Sequence, residues 1–546
     1  MKEKRENQKR SRELEDEQEH SSGDLNVKIA PWGPNQATLD SAVHEAMEHS
    51  SVQGLLKGTR HRLLSIELVD TEAKVKTSQP STPPKRYLAT FYDYTHNRTI
   101  LVNGRLDKLE DLEVEESGIQ PLPNGQEFDA AVKILLEEPK LGPALREKHL
   151  LPYLAMPPLI EEELPDGRVE RTLAIGLLPS DKRHHHEIVG VNMIHQKVVQ
   201  FKNGAPDTSA ANDQTCGVQG VPGPQISRGT AGQVNVTVTQ GNTVLWRFLV
   251  VRPSASSGTN GSGIELRFVD YRGKRVLYRA HVPILNVRYD NDACGPYRDW
   301  QWSEHLLQAN GTDVAPGIRL CPTPAQTILD SGTDAGNFQG VAIYVQGLEV
   351  VLVSEVQAGW YRYISEWRFH ADGTIRPRFG FSGVLNSCVC NRHHHHVYWR
   401  FDFDIRTPSN NVVREYNNPP IIGTSNFHTK YYEIRRLRDV GHQRRWQVEN
   451  SQTGEGYMLI PGANDGVADS FGVGDVWVLR YHGNELDDGQ GFTTNPINAM
   501  AHVDTFINGE SVYNQDVVLW YAAHFTHDFA AGIGHIVGPE LKPFKW

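Results

Sequence analysis

The stretch NRHHHHVYWRFDFDI, Asn391 to Ile405, sets four consecutive histidines before a run that alternates apolar and polar residues. A period of two marks a β-strand, in which successive side chains point to opposite faces. On that reading His393, His395, Val397, Trp399, Phe401 and Phe403 share one face; His394, His396, Tyr398, Arg400, Asp402 and Asp404 share the other. A His-x-His pair on a strand aims two imidazoles at one point, and imidazole suits copper and zinc. A third ligand must come from elsewhere. Just upstream, Cys388 and Cys390 are either soft metal ligands or buried thiols. A second histidine run, His184–His186 in KRHHHEIVG, reads as a solvated surface cluster.

Strand-like runs of this kind continue on both sides, from TVLWRFLVV (243–251) to QDVVLWYAAHFTH (515–527), with turn signals such as DYRGK and ADGT between them. More than 300 residues from 230 to 546 show no long helix, which predicts one large antiparallel β-sandwich domain. Ahead of it the pattern differs. ATLDSAVHEAMEHSSVQGLLKG has helical spacing and is followed by strand-like runs. The same order recurs from GQEFDAAVKILLEEPKLGPALREKH, where Pro139 is expected to split the helix. The expected fold class is therefore α+β: a charged, disordered tail over 1–35, small α/β domains over 36–120 and 121–205, a Gly/Pro/Ser-rich linker over 206–229, and the sandwich over 230–546.

The chain has 546 residues, with 55 Lys and Arg against 66 Asp and Glu, a net charge of −11. That balance argues against a nucleic-acid partner, which calls for a basic face. No apolar run is long enough to span a bilayer, so no membrane role is expected. The first residues, MKEKRENQKRSRELEDEQEH, lack the apolar core of a secretory signal, and a cytoplasmic location is the expectation. Five cysteines are too few for a disulfide-dense framework.

At three places the residues resemble the copper- and topaquinone-dependent amine oxidases. AGWYRYISEWRFHADGTIRPRFGFSGV aligns without gaps to the family segment around its cofactor tyrosine and puts Tyr361 on that residue. HHHHVYWRFDFDI resembles the family's His-x-His strand. NQDVVLWYAAHFTHDF resembles the segment with the third copper histidine, here His527. YDYTHNRTILVNGRL and GIQPLPNGQEFDAAVKILLEEP resemble the family's small N-terminal domains, so the likeness spans about 36–546. It implies copper, Tyr361 converted to topaquinone, and oxidation of a small primary amine by O2 to aldehyde, ammonia and hydrogen peroxide. It also implies a homodimer, a carboxylate base, and a disulfide for which Cys294 and Cys321 are placed, with free thiols as the alternative.

Two registers are open for the histidine pair. Counting back from Arg400 without a gap gives His393 and His395, on the face of Val397 and Trp399; matching the run HVY gives His394 and His396 and deletes a residue from the strand. The sequence also departs from the family. Its Asn-Tyr-Asp/Glu is here Trp360-Tyr361-Arg362, so a cation replaces an acid and an indole replaces an amide. Both changes are expected to alter the electrostatics and mobility of a quinone there, and the indole to narrow the entrance. Tyr297-Arg298-Asp299 fits the family's Tyr-x-Asp but lacks the Gly-rich acidic stretch after it. Asp299 is the first choice for the base, with Asp290, Asp292 and Glu304 as alternatives. Two functions are thus in view: an amine oxidase using topaquinone from Tyr361, or a copper-binding homologue without the quinone. A three-histidine zinc hydrolase is disfavoured because no helical His-Glu motif is present.

Overall fold

The computed structural model describes residues 18–22, 25–69, 76, 83–160, 167, 169–181, 183–199, 216–220, 232–292, 294–385, 387–528, 532 and 534–546. Two large sheets dominate it among the described residues, one of 11 strands and one of 12, paired almost throughout antiparallel. The alternation around the histidines does form a strand, His393–Phe403, the histidine strand. It lies in the 11-stranded sheet between Lys274–Tyr289 and Val517–His527, the C-terminal strand. The other sheet carries Tyr361–His370, the tyrosine strand, between Glu349–Ala358 and Ile375–Gly383. The inner faces meet in one core, where Trp399 and Phe401 from one sheet pack edge-on against Phe379 and Trp367 from the other. This is a β-sandwich, and the apolar half of each alternating strand supplies its interior.

Each small domain is a four-stranded antiparallel sheet with helices against it. The first has Gln36–Glu48 and Ser50–Leu56 over the sheet running from His61–Val69 to Lys108–Ser117. The second has Gly125–Glu137 and Gly142–Arg146 over the sheet from Leu150–Ile160 to Lys197–Val199. The helix in the second domain is interrupted around Pro139, which a ring without an N–H requires. A fully buried Arg171–Glu127 ion pair, with Tyr94 donating to the same carboxylate, ties the two domains together.

Two expectations need correction. The charged tail does not extend to residue 35: Gln18–Ser22 and Leu25–Pro31 are strands, and the second pairs with Gln233–Gln240 in the large sheet. Leu25, Val27 and Ile29 alternate with polar residues and are buried there, a period-two signal hidden beside a run of charges. The cysteines also pair differently. Cys294 bonds Cys388, Cys216 bonds Cys390, and Cys321 is a buried free thiol. Cys388 and Cys390 lie in the short helical turn Ser387–Cys390 just before the histidine strand and are bonded to Cys294 and Cys216. They are cross-links, not metal ligands. Most of the 206–229 linker and residues 1–17 of the tail lie outside the described residues.

Candidate metal centre and active site

Strand pairing assembles the site. His393 sits directly opposite His527 across the histidine and C-terminal strands. His395, two residues on, shares their face, and the ligand atoms of His393, His395 and His527 lie within 4.8 Å of one another. All three side chains are buried. Two are aimed by backbone carbonyls: His393 Nδ1 contacts the Asn391 carbonyl at 2.5 Å and His527 Nε2 the Gly532 carbonyl at 3.2 Å. Their other nitrogens, His393 Nε2 and His527 Nδ1, turn inward. Neither ring nitrogen of His395 has a hydrogen-bond partner among the described residues.

A buried imidazole with both nitrogens unpaired is unfavourable unless something takes a lone pair. Burial also pushes the His393 imidazole down to about 3, and those of His395 and His527 below the usual range, so all three are neutral donors. Neutral, convergent imidazoles in an aromatic pocket fit a copper ion. His394 and His396 face the other way. His394 contacts Thr526 Oγ1 at 3.0 Å and Asp290 at 3.5 Å, and His396 contacts His524 at 2.7 Å. In the second histidine run, the half-buried His184 contacts Asp181 and the half-buried His186 contacts Tyr153, while His185 is exposed.

Tyr361 opens its strand on the face toward this triad. Its hydroxyl lies 2.5 Å from His393 Nε2 and 2.5 Å from His527 Nδ1, and its ring meets His395 edge-on at 4.5 Å. Tyr363, two residues along the same face, stacks on Tyr361 at 5.2 Å and donates its hydroxyl to Asp299 Oδ2 at 2.5 Å. Asp299 is fully buried, its other oxygen has no partner among the described residues, and burial pushes its carboxyl up to about 7. Its neighbours anchor it. Arg298 forms a bidentate ion pair with Asp488, and Trp300 Nε1 donates to the Gln357 carbonyl at 2.9 Å.

The other carboxylates named from sequence are placed elsewhere. Glu304 is buried in an ion pair with Arg252 and caps the Ser254 N–H. Asp290 is partly exposed beside Arg392 and His394. The Asp292 side chain lies outside the described residues.

The expectation that Arg362 brings its charge to the tyrosine is corrected by strand geometry. Adjacent residues face opposite ways, so Arg362 points away from Tyr361. It is fully buried in a bidentate pair with Asp334, at 2.7 and 2.8 Å, and Asp334 also contacts His305 Nε2 at 2.9 Å. Arg362 Nη1 reaches back to the carbonyls of Gly359 and Tyr361, at 3.3 and 3.1 Å. Trp360 is buried as well; its indole N–H donates at 3.0 Å to the hydroxyl of Tyr289, whose ring stacks on His393 at 4.5 Å. Tyr363 and Asp334 were missed in the sequence. Tyr363 was accessible from the period of two, whereas no local pattern announced Asp334.

Residues 337–532, which include Tyr361 and all three histidines, match the family model "Copper amine oxidase, enzyme domain". No curated protein matches the chain. Among solved structures the fold is similar to that of a copper-containing benzylamine oxidase from Hansenula polymorpha, with TM-score 0.54, 14% identity, and coverage of 97% of this chain and 93% of that one. It is also similar to Pichia pastoris lysyl oxidase (TM-score 0.57, 12% identity, 94% and 90% covered) and to Aspergillus nidulans amine oxidase (0.54, 16%, 97% and 90%). Residues 337–532 thus read as a copper amine oxidase enzyme domain, and the rest of the chain shares the fold of those oxidases. The matched segment is divergent, with Trp360 and Arg362 on either side of Tyr361.

Proposed function

We propose that the protein is a copper-dependent primary-amine oxidase whose quinone cofactor, topaquinone, is made from Tyr361. The observation that carries this reading is the Tyr361 hydroxyl, 2.5 Å from the inward nitrogens of two of three buried imidazoles. Copper and the quinone would supply the two-electron oxidation of the amine to aldehyde, with ammonia and hydrogen peroxide released on reaction with O2.

The chain's own residues do the rest. His393, His395 and His527 hold the metal, through Nε2 of the first and Nδ1 of the third. Asp299 removes the proton from the amine's α-carbon. Its carboxyl, held at about 7 by burial, balances proton affinity against availability of the ionised form near neutral pH. Tyr363 orients Asp299 by hydrogen bond and keeps it beside the ring of Tyr361 by stacking. A small primary amine and O2 are the partners, and the resemblance supports a homodimer. The two disulfides favour an oxidising compartment over the cytoplasm.

The test is direct. Metal-free protein given Cu(II) in air is expected to develop a visible band and to react with phenylhydrazine, and Tyr361→Phe is expected to do neither. A copper-loaded protein with no band and no adduct rejects the reading. One observation favours the second function, a copper protein without the quinone: the backbone around Tyr361 is held by Arg362, and Trp360 packs beside it. Under that reading copper binds with normal stoichiometry and Tyr361→Phe leaves the visible spectrum unchanged.

A further inference from the structure

Behind the tyrosine strand, on the face opposite Tyr361 and Tyr363, lies a buried polar cluster apart from the copper candidate. In the neighbouring strand Glu355 and Gln357 alternate with the core residues Val356 and Ala358, and Gln357 is registered opposite Arg362. Glu355, Gln357 and Arg362 therefore share the outer face of this sheet. The segment Ser303–His305 pairs against the same strand. The His305 N–H donates to the Glu355 carbonyl at 2.8 Å and the Gln357 N–H to the Ser303 carbonyl at 2.7 Å, which sets the His305 side chain beside that of Glu355. Asp334 arrives just after the helical turn Ile328–Ser331. One ligand atom from each of His305, Asp334 and Glu355 lies within 4.8 Å of the others.

The donors are set for a cation. Glu355 is 1% exposed. Its Oε2 accepts the Ile328 N–H at 2.9 Å, but its buried Oε1 has no hydrogen-bond partner among the described residues. A buried carboxylate oxygen left unmatched is unfavourable, and a cation would match it. Burial holds the His305 imidazole below its usual range, hence neutral, with Nε2 2.9 Å from Asp334 Oδ1. Asp334 is not saturated. An ionised carboxylate offers about four lone-pair sites, and the Nε and Nη2 of Arg362 take two of them. An ion can enter where His305 now donates. Burial pushes the Glu355 carboxyl up to about 8, so near neutral pH it keeps a proton that an arriving cation displaces.

We propose that His305, Asp334 and Glu355 form a zinc site, separate from the triad of His393, His395 and His527, in which Arg362 orients Asp334 and so connects the ion to the backbone of Tyr361. One imidazole and two carboxylates are donors that zinc accepts at about 2.0–2.2 Å, with a water in the fourth position. The two carboxylates match the charge of the ion, and ionisation of that water balances the guanidinium. A hydrogen-bonded outer partner is what holds a metal-ligating carboxylate in place, and here it is Arg362. Arg362 Nη1 also reaches the carbonyls of Gly359 and Tyr361, so the ion braces the turn into the tyrosine strand. The inference stands whether or not Tyr361 becomes a quinone.

The test uses copper-loaded protein, so that the three-histidine site is filled. Dialysed against zinc chloride and then against zinc-free buffer, it should retain one zinc per chain beyond its copper by elemental analysis. X-ray absorption at the zinc edge should show one imidazole in an oxygen-rich shell. No retained zinc, a shell without imidazole or a shell of several imidazoles overturns the proposal, and this arm needs no variant to fold. Glu355→Gln and His305→Gln should each bind zinc at least about tenfold more weakly with copper content unchanged. Variants that keep the wild-type zinc affinity reject the site. Arg362→Gln separates an orienting cation from one that fills the cluster: zinc affinity should fall by about 10- to 100-fold. Tighter zinc binding in Arg362→Gln than in wild type would show that the guanidinium already serves as the cluster's cation, and would overturn the proposal.

Discussion

The two ends of the histidine strand solve the same problem in opposite ways. At one end His393 and His395 join His527 as three buried, neutral imidazoles, with both nitrogens of His395 unpaired. At the other, the buried Asp402 and Asp404 join the half-buried Asp516, all three paired with the Lys76 ammonium. Buried polar groups must find partners. Neutral donors can wait for a metal from solution, because folding around them costs unmet lone pairs but no isolated charge. Carboxylates cannot be left charged and alone, so the chain supplies their counter-ion.

The comparison can be broken at several points. The largest effect is expected at the histidine end. His395→Ala should lose bound copper by elemental analysis and lower oxidase activity by more than the roughly 100-fold typical of changes to a ligand's outer partners. His394→Ala, on the opposite face, should keep both. Equal losses would undo the assignment of faces. Next, Asp299→Asn should lower kcat/KM by about 10² to 10⁴ with copper content unchanged, since it removes a proton acceptor and keeps the shape. A full-rate variant would remove Asp299 from the mechanism. Asp334→Ala should destabilise the fold by about 3 kcal/mol, because Arg362 is left buried without its carboxylate. A melting temperature equal to wild type would show that the Arg362 charge is met elsewhere.

Smaller still is the effect of Tyr363→Phe on the pH profile. The Asp299 base works when ionised, so activity should rise with pH through about 7. The Tyr363 hydroxyl favours the ionised form, and its loss should move this acid limb to higher pH. A limb that stays in place or moves down would disconnect the two residues. The least change is a count: denatured, unreduced protein should titrate one thiol, Cys321, of the five cysteines. A higher count would remove one or both cross-links before the histidine strand.

Much of the site was legible because a strand's period is short and strict. Once HHHHVYWRFDFDI is read as a strand, His393 and His395 fall on the core face, and the resemblance supplies Tyr361 and His527. The same period would have found Tyr363 beside Tyr361, and Leu25, Val27 and Ile29 inside what looked like a charged tail. Cysteine pairing was not legible. It depends on which segments meet: Cys294 packs against the sandwich core and bonds Cys388, while Cys321 is a free thiol in another core cluster. The meaning of Arg362 was not legible either, since its partner Asp334 arrives from a different segment.

The sequence by itself determined the class of the fold, two small α/β units before a large β-sandwich, and the residues that face its core, because alternation and turn chemistry are local properties. It also determined that three histidines and a tyrosine were the candidates for a copper site. Only the tertiary structure decided that Asp299 is buried beside Tyr363 while Glu304 is held by Arg252, that Arg362 is neutralised behind the tyrosine, and that Lys76 stands among three aspartates. Each of these is a polar contact between segments separated along the chain. Whether a charged group is a free base, a spent partner or a built-in cation depends on what folds against it, and no spacing along the chain encodes that.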